Sequence, residues 1–240
     1  MSRVAIVSGT SSLGLALCDE LGLVARARRV AVAGGPVALD DSDGLVFLQR
    51  HGVDGYTPPH RIDHHAHAHA LARVGCDRVL ALSSVGGLRV EHAVGTVLVP
   101  DDFFALAQQP DSRFDDERGH SVPGFDPAWR ARVLASWATH APRPPVDGGV
   151  YVQTTGPRFE TPAEVRFLAS VGDVVGMTVG SECVAMRERG LAYAAVCIVD
   201  NLGNGLAPTR LTVEEFEAGK AANQAALLAT LPGVLRDLLA

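Results

Sequence analysis

The sequence predicts an α/β fold, a single domain over residues 1–240 with a mixed central β-sheet flanked by helices. Three observations predict it. Short β-branched runs alternate with Ala- and Leu-rich segments along the chain, the pattern of strand followed by helix. Most of the runs lack the polar alternation of a sheet face in water, so they read as strands covered on both sides. A composition of 47% hydrophobic and 20% charged residues supplies a large core and carries no signature of disorder.

From the N-terminus, strands are expected at 4–9 (VAIVSG), 29–34 (RVAVAG), 44–49 (GLVFLQ), 78–84 (RVLALSS), 95–100 (GTVLVP), 148–154 (GGVYVQT), 173–178 (DVVGMT) and 192–200 (AYAAVCIVD). Helical composition or spacing marks 61–74, 127–140, 161–171 and 181–189. A last helix is expected from Thr212, with Thr212 as N-cap and Glu214 and Glu215 in a first turn where negative charge complements the helix dipole. The polar stretch 108–126, rich in Pro, Asp, Gly and Arg, reads as a long loop, and loops of that length in compact domains serve as lids or interface elements.

A formal charge of -6 and a pI near 5.8 argue against nucleic-acid binding, which needs a basic surface for the phosphate backbone. Lys220 is the only lysine, which reflects composition bias rather than function. The opening MSRVAIVSGT is too briefly apolar for a signal peptide, and no uncharged run has membrane-spanning length, so a cytoplasmic protein is expected. Cys18, Cys76, Cys183 and Cys197 are scattered among apolar neighbours without a CxxC pair, the pattern of buried free thiols.

Several strands end in small hydroxyl or glycine residues: Ser8-Gly9-Thr10-Ser11, Ser83-Ser84-Val85-Gly86-Gly87 and Met177-Thr178. Ligands of α/β sheets sit beyond the carboxyl ends of strands, where such residues offer backbone N–H and hydroxyl donors to an anion. The same residue types also cap ordinary strand-to-helix turns. SGTSSLG lacks GxGxxG spacing and a ribose-binding acid, which excludes a dinucleotide cofactor. In PHRIDHHAHAH, residues 59–69, His60 with His64 and His65 with His69 stand at helical i, i+4 spacing, yet there is no HExxH, and core or interface histidines account for the pattern better than a metal. Asp200-Asn201 closes an apolar strand just before a Gly-Asn-Gly loop and is placed either for ligand chemistry or for an Asx-turn. No G-x-S-x-G elbow is present for a serine hydrolase.

Two further spans carry the most information. TTGPRFETP, 154–162, combines a turn, a cation, an aromatic face and a carboxylate, and VVGMTVGSE, 174–182, follows it. With GPRFETPAE, VVGMTVGSE and AYAAVCIVDN in order, and Gly9-Thr10, Arg50-His51-Gly52 and Ser83-Ser84-Val85-Gly86-Gly87 ahead of them, the chain resembles the purine nucleoside phosphorylases, specifically the trimeric branch that includes 5′-methylthioadenosine phosphorylase. The resemblance spans most of the chain and is strongest over 148–201.

That resemblance implies a nucleoside phosphorylase-like fold and the attack of inorganic phosphate, a co-substrate, on the anomeric carbon of a purine nucleoside, with no other cofactor and no metal. It assigns phosphate contacts to Thr10, Arg50, His51, Ser84, the Val85 backbone and Thr178, and sugar contacts to Met177, Val213 and Phe216. Phe159 is expected to pack on the purine, Glu160 to read its Watson–Crick edge, and Asp200 to face N7 as hydrogen-bond partner or general acid. His120 matches a residue that reaches into a neighbouring protomer's sugar site, which implies a homotrimer.

Departures from the family pattern also stand in the sequence. Val53 and Gly55 replace a basic residue and a His after Arg50-His51-Gly52, which keeps open a nucleosidase in which water replaces phosphate, and a non-catalytic purine-binding protein. Glu160 resembles the 6-oxopurine enzymes, Asp200 the 6-aminopurine enzymes, and Leu202 stands where the latter keep a second Asp, so the base stays open between the two. Val213 and Phe216 replace the His that would recognise a 5′-hydroxyl, which favours an apolar 5′ group such as methylthio, in 5′-methylthioadenosine or 5′-methylthioinosine.

Overall fold

The computed structural model of the chain describes residues 3–12, 17–42, 44–105, 112–207 and 212–240, with the side chains of Ser11, Val213, Glu215 and Phe216 outside that description. Among the described residues eleven strands form one mixed sheet. They are β1 (Val4–Ser8), β2 (Arg26–Val32), β3 (Gly35–Ser42), β4 (Leu45–Gln49), β5 (Arg78–Gly87), β6 (Val97–Val99), β7 (Asp102–Ala105), β8 (Val146–Asp147), β9 (Val150–Gln153), β10 (Val174–Gly176) and β11 (Ala192–Leu202). The helices are α1 (Leu17–Glu20), α2 (His64–Arg73), α3 (Pro127–His140), α4 (Pro162–Leu168), α5 (Val179–Arg187) and α6 (Val213–Leu239).

The sheet turns on β5. Its first residues lie between β1 and β11, both parallel to it, while its last two, Gly86 and Gly87, pair antiparallel with β10. From β1 the sheet continues through parallel β4 to the antiparallel β3 and β2, and from β10 through parallel β9 to β7. β6 runs antiparallel along β11 and carries β8.

Period-two side-chain direction divides the core into two layers. Ala5 and Val7 face the layer under α2 and α5, with Leu71, Cys183 and Met186, whereas Val4 and Ile6 face the layer under α3 and α6, with Trp129, Trp137, Leu231 and Val234. Both faces of β1 are therefore covered, as its unalternating apolar run requires. The helices start where their caps dictate. Asp63 accepts from Ala66 N at 2.8 Å, Asp126 accepts from Trp129 N at 2.8 Å, and Thr161 with Glu164 forms a reciprocal capping box before α4.

Differences from the sequence reading have local causes. β3 was not among the expected strands. It forms because Gly34 and Gly35, both at positive φ, turn the chain back so that β3 pairs with the exposed β2. β7 and β8, four and two residues long, are too short to register as periodic runs. α5 starts at Val179, not 181, since Thr178 takes the N-cap position, and α6 starts one residue after Thr212. Of the loop expected over 108–126, residues 108–111 lie outside the described residues, and 112–126 form irregular chain with one short turn of 3-10 helix, Glu117–Gly119. All four cysteines are buried free thiols. Among the described residues no helix is long and apolar enough to cross a membrane.

Candidate active site

A cavity with about 110 Å³ of accessible space opens at the carboxyl ends of the strands, where the ligands of α/β sheets bind. Thr10 enters it from the turn after β1, Arg50 and His51 from the end of β4, Ser84 and Val85 from β5, and Met177 and Thr178 from the β10–α5 junction. Phe159 and Glu160 come from the β9–α4 loop, and Asp200 from β11. Six strand ends thus bring together residues that span nearly two hundred positions of sequence. Pro59 and Asn204 join them on the wall without having been singled out by the sequence, and Asn201 lines it beside Asp200.

His120 is exposed and does not line this cavity. The side chains of Val213 and Phe216 lie outside the described residues.

The two sequence spans meet at one point. Gly156 sits at a φ of 65°, and a Cβ there would overlap Met177 Sδ, so the turn that presents Phe159 and Glu160 closes directly over the methionine. Glu160 is held at both ends. Thr154 Oγ1 donates to Glu160 Oε1 at 2.7 Å, and Asn204 Nδ2 donates to its backbone carbonyl at 2.9 Å. Phe159 is 50% exposed at the mouth.

Arg50 is the largest charged group in the interior, 1% exposed, and its pairing was not legible in the sequence. Nε and Nη2 donate to Glu182 at 2.7 and 2.8 Å, and Nη1 donates to the Leu82 carbonyl at 3.1 Å. Tyr193 Oη donates to Glu182 at 2.8 Å and His64 Nδ1 stands 3.7 Å from it. Burial opposes the charge on Glu182, but the Arg50 guanidinium outweighs it and holds the carboxyl far below the usual range. Arg50 therefore meets the cavity as half of a neutralised pair.

His51 is pinned by its Nδ1, which donates to the Thr57 carbonyl at 2.9 Å and so leaves Nε2 facing the Thr10 hydroxyl at 3.5 Å. Burial keeps its pKa below the ordinary value, the Thr57 carbonyl opposing only in part. Thr178 caps α5 with its backbone while its side chain makes no capping bond, and Tyr151 Oη accepts from its N–H at 3.2 Å.

Asp200 is 1% exposed. It falls where β11 slips its register against β5 between Val199 and Asn201, a bulge that takes the residue out of the ladder and re-aims it. Burial raises its pKa, and Asn223, donating to Oδ1 at 2.6 Å, offsets part of the rise. Ser84 is near enough to offset a further part, but without full hydrogen-bond geometry: Ser84 Oγ and Asp200 Oδ2, both buried, pair with no group among the described residues. Buried polar atoms left open are the exception in folded chains, and here both belong to residues on the wall of one cavity.

The histidine-rich helix takes no part in the cavity. Burial pushes His67 down to about 4, and among the described residues no group of three or more His, Cys, Asp or Glu could hold a metal ion.

Residues 3–236 match the family model described as Phosphorylase superfamily. The chain belongs to the phosphorylase superfamily. Within that superfamily it is 35% identical over 207 residues to a probable 6-oxopurine nucleoside phosphorylase of Archaeoglobus fulgidus, covering 85% of this chain and 83% of that one. It is 34% identical over 224 residues to a probable S-methyl-5′-thioinosine phosphorylase of Methanopyrus kandleri, covering 90% and 84%. The fold matches methylthioadenosine phosphorylase from Schistosoma mansoni in complex with tubercidin at a TM-score of 0.80, with 22% identity over 98% of this chain and 91% of that one. Membership in this superfamily accords with the α/β sheet and with the order of motifs along the chain.

Proposed function

We propose that the chain is a purine nucleoside phosphorylase, a pentosyltransferase built as a single catalytic domain, and that its substrate is a 6-oxopurine nucleoside with an apolar 5′ group, 5′-methylthioinosine in particular. Inorganic phosphate is the co-substrate, with no further cofactor. The observation that carries this reading is the buried acid Asp200, its Oδ2 open, beside the open Ser84 hydroxyl in one cavity.

A phosphate oxygen attacks the anomeric carbon as the bond to N9 breaks. The electron pair of that bond passes into the purine, and the Asp200 proton moves to N7. Burial raises the Asp200 pKa in the direction this role needs, since an acid must hold its proton near the working pH. Thr10, Ser84, Thr178 and the Val85 backbone supply neutral donors for the phosphate, while His51, its proton held on Nδ1 by Thr57, turns Nε2 as an acceptor to a protonated phosphate oxygen. Phe159 stacks on the base, and Glu160, fixed by Thr154, accepts from the N1–H of a 6-oxopurine. The names of the relatives, 6-oxopurine and S-methyl-5′-thioinosine phosphorylases, favour this base and this 5′ group over 5′-methylthioadenosine.

A homotrimer acting in the cytoplasm completes the reading. His120, exposed and away from its own cavity, belongs to a neighbour's sugar site, and the half-exposed Phe159 sits at the mouth that the neighbour covers.

A nucleosidase on the same fold is the second reading, and the neutralised Arg50 together with Val53 and Gly55 favours it. Chromatography of the base released from inosine, adenosine and their 5′-methylthio forms, with and without phosphate, decides between the two. The phosphorylase reading expects release that needs phosphate and is fastest with 5′-methylthioinosine. Release at an equal rate without phosphate overturns it in favour of hydrolysis, and binding without release leaves a purine-binding protein.

A further inference from the structure

We propose that Asn223, on α6, is a positioning residue that assigns the Asp200 proton to Oδ2, the carboxyl oxygen open to the cavity. The inference deepens the reading above and rests on it for its kinetic half.

Asn223 is buried, and its side-chain nitrogen faces two acceptors at once: the Val199 carbonyl at 3.0 Å and Asp200 Oδ1 at 2.6 Å. A carbonyl and a carboxyl oxygen can both be satisfied only by an NH₂, so the network fixes which way the amide points. With Oδ1 committed as an acceptor, the acid proton has one place left, on Oδ2, which pairs with no group among the described residues. Asn223 does not line the cavity that Asp200 lines, so the bond to Oδ1 points away from the ligand side.

The backbone is built to hold this contact. α6 approaches β11 so closely at Gly219 that a Cβ there would overlap the Asp200 carbonyl oxygen. The Val199 carbonyl that anchors the amide also accepts from Gly95 N at 2.9 Å. Asn223 thus bridges the bulge and the side chain the bulge re-aims. Twenty-three residues separate Asn223 from Asp200, and a lone Asn on an Ala-rich helix gives no sequence signal of such a role.

Charged and titratable groups around Asp200 are Lys220 and Glu217 on α6, Arg50, His51 and Glu160 on the cavity wall, and Glu91 and His92 beyond Asn223. Lys220 donates to Glu217 at 2.9 Å, and Arg50 is neutralised by Glu182. Asn223 is therefore the group through which the carboxyl can be perturbed with least change in nearby charge.

Asn223→Ala tests the proposal, with Asn223→Ser as a second variant that keeps one donor. In the substrate-free protein, the infrared band of the protonated Asp200 carboxyl, isolated as the difference from Asp200→Asn, is followed against pH. Loss of the donor is expected to move that titration to higher pH in Asn223→Ala, and by less in Asn223→Ser. In turnover, kcat is expected to fall about tenfold with little change in the phosphate KM, and the alkaline limb of the kcat profile is expected to shift upward with the carboxyl. In the Asp200→Asn background, adding Asn223→Ala is expected to cost nothing further in kcat.

An Asp200 titration that stays put in the folded variant overturns the proposal, as does a tenfold loss repeated in the Asp200→Asn background. If the wild type releases no purine from any nucleoside, the functional reading fails, and the infrared titration still decides the role of Asn223.

Discussion

Replacing Glu182 by Gln removes half of the buried ion pair without changing its shape. Arg50 and Glu182 are 1% and 0% exposed, so neither charge can turn to water when its partner is lost. In Glu182→Gln the guanidinium keeps only the Leu82 carbonyl, a long contact to the Val7 carbonyl and whatever the amide oxygen accepts. Breaking a buried pair from one side costs about 3–5 kcal/mol, because the remaining charge stays uncompensated. Urea unfolding at fixed protein concentration, followed by the fluorescence of buried Trp129 and Trp137, reads the loss. With a slope of about 3 kcal/mol per molar, the midpoint is expected to fall by about 1–1.7 M.

The pair also predicts a pH dependence. The folded pKa of Glu182 lies below its unfolded value, so its stabilisation is complete above about pH 4.3 and is lost as pH falls further. Stability of the wild type should therefore drop more steeply below that pH than stability of Glu182→Gln. Arg50→Met with Glu182→Leu, which removes both charges, should recover much of the loss while abolishing whatever Arg50 lends the phosphate. A single-variant cost under about 1 kcal/mol, typical of exposed pairs, would refute the burial argument.

Asp200→Ala is expected to lower kcat by about 10²-fold or more, measured as purine release under saturating phosphate; unchanged turnover removes Asp200 from the chemistry. Glu160→Gln replaces an acceptor-only group by an amide, and the ratio of kcat/KM for inosine over adenosine forms should fall about tenfold or more, given about 1.5–3 kcal/mol for a hydrogen bond to a charged group. A constant ratio would place the base's polar edge elsewhere. The four cysteines are buried, and burial pushes Cys76, Cys183 and Cys197 up to about 12 and Cys18 up to about 11, so a thiol reagent at neutral pH should label none in the native protein and all four once unfolded.

Much of the site was legible because its residues sit at strand ends, where apolar runs stop and small hydroxyl, glycine or acidic residues begin. Thr10, Ser84, Thr178 and Asp200 were all found at such boundaries, and the motif order pointed to Phe159 and Glu160, which line the same cavity. Partners of these residues were harder to see. Glu182 lay in plain view within VVGMTVGSE, but its match to Arg50 lies 132 positions away, and nothing in either neighbourhood announces a pair. Tyr193 read only as a strand residue, and Asn223 as one polar position on a helix.

What the sequence alone determined about this protein was its alternation of buried strands and helices and the residues that stand at the strand ends. Those properties follow from local periodicity and side-chain chemistry, which a linear pattern carries. Only the tertiary structure decided that β5 serves three neighbours, that Arg50 is neutralised before it meets the cavity, and that a bulge in β11 turns Asp200 so that one oxygen is held by Asn223. Each of those depends on groups brought together from distant parts of the chain, and their charges and hydrogen bonds take their strength from a burial that exists only once the layers have packed.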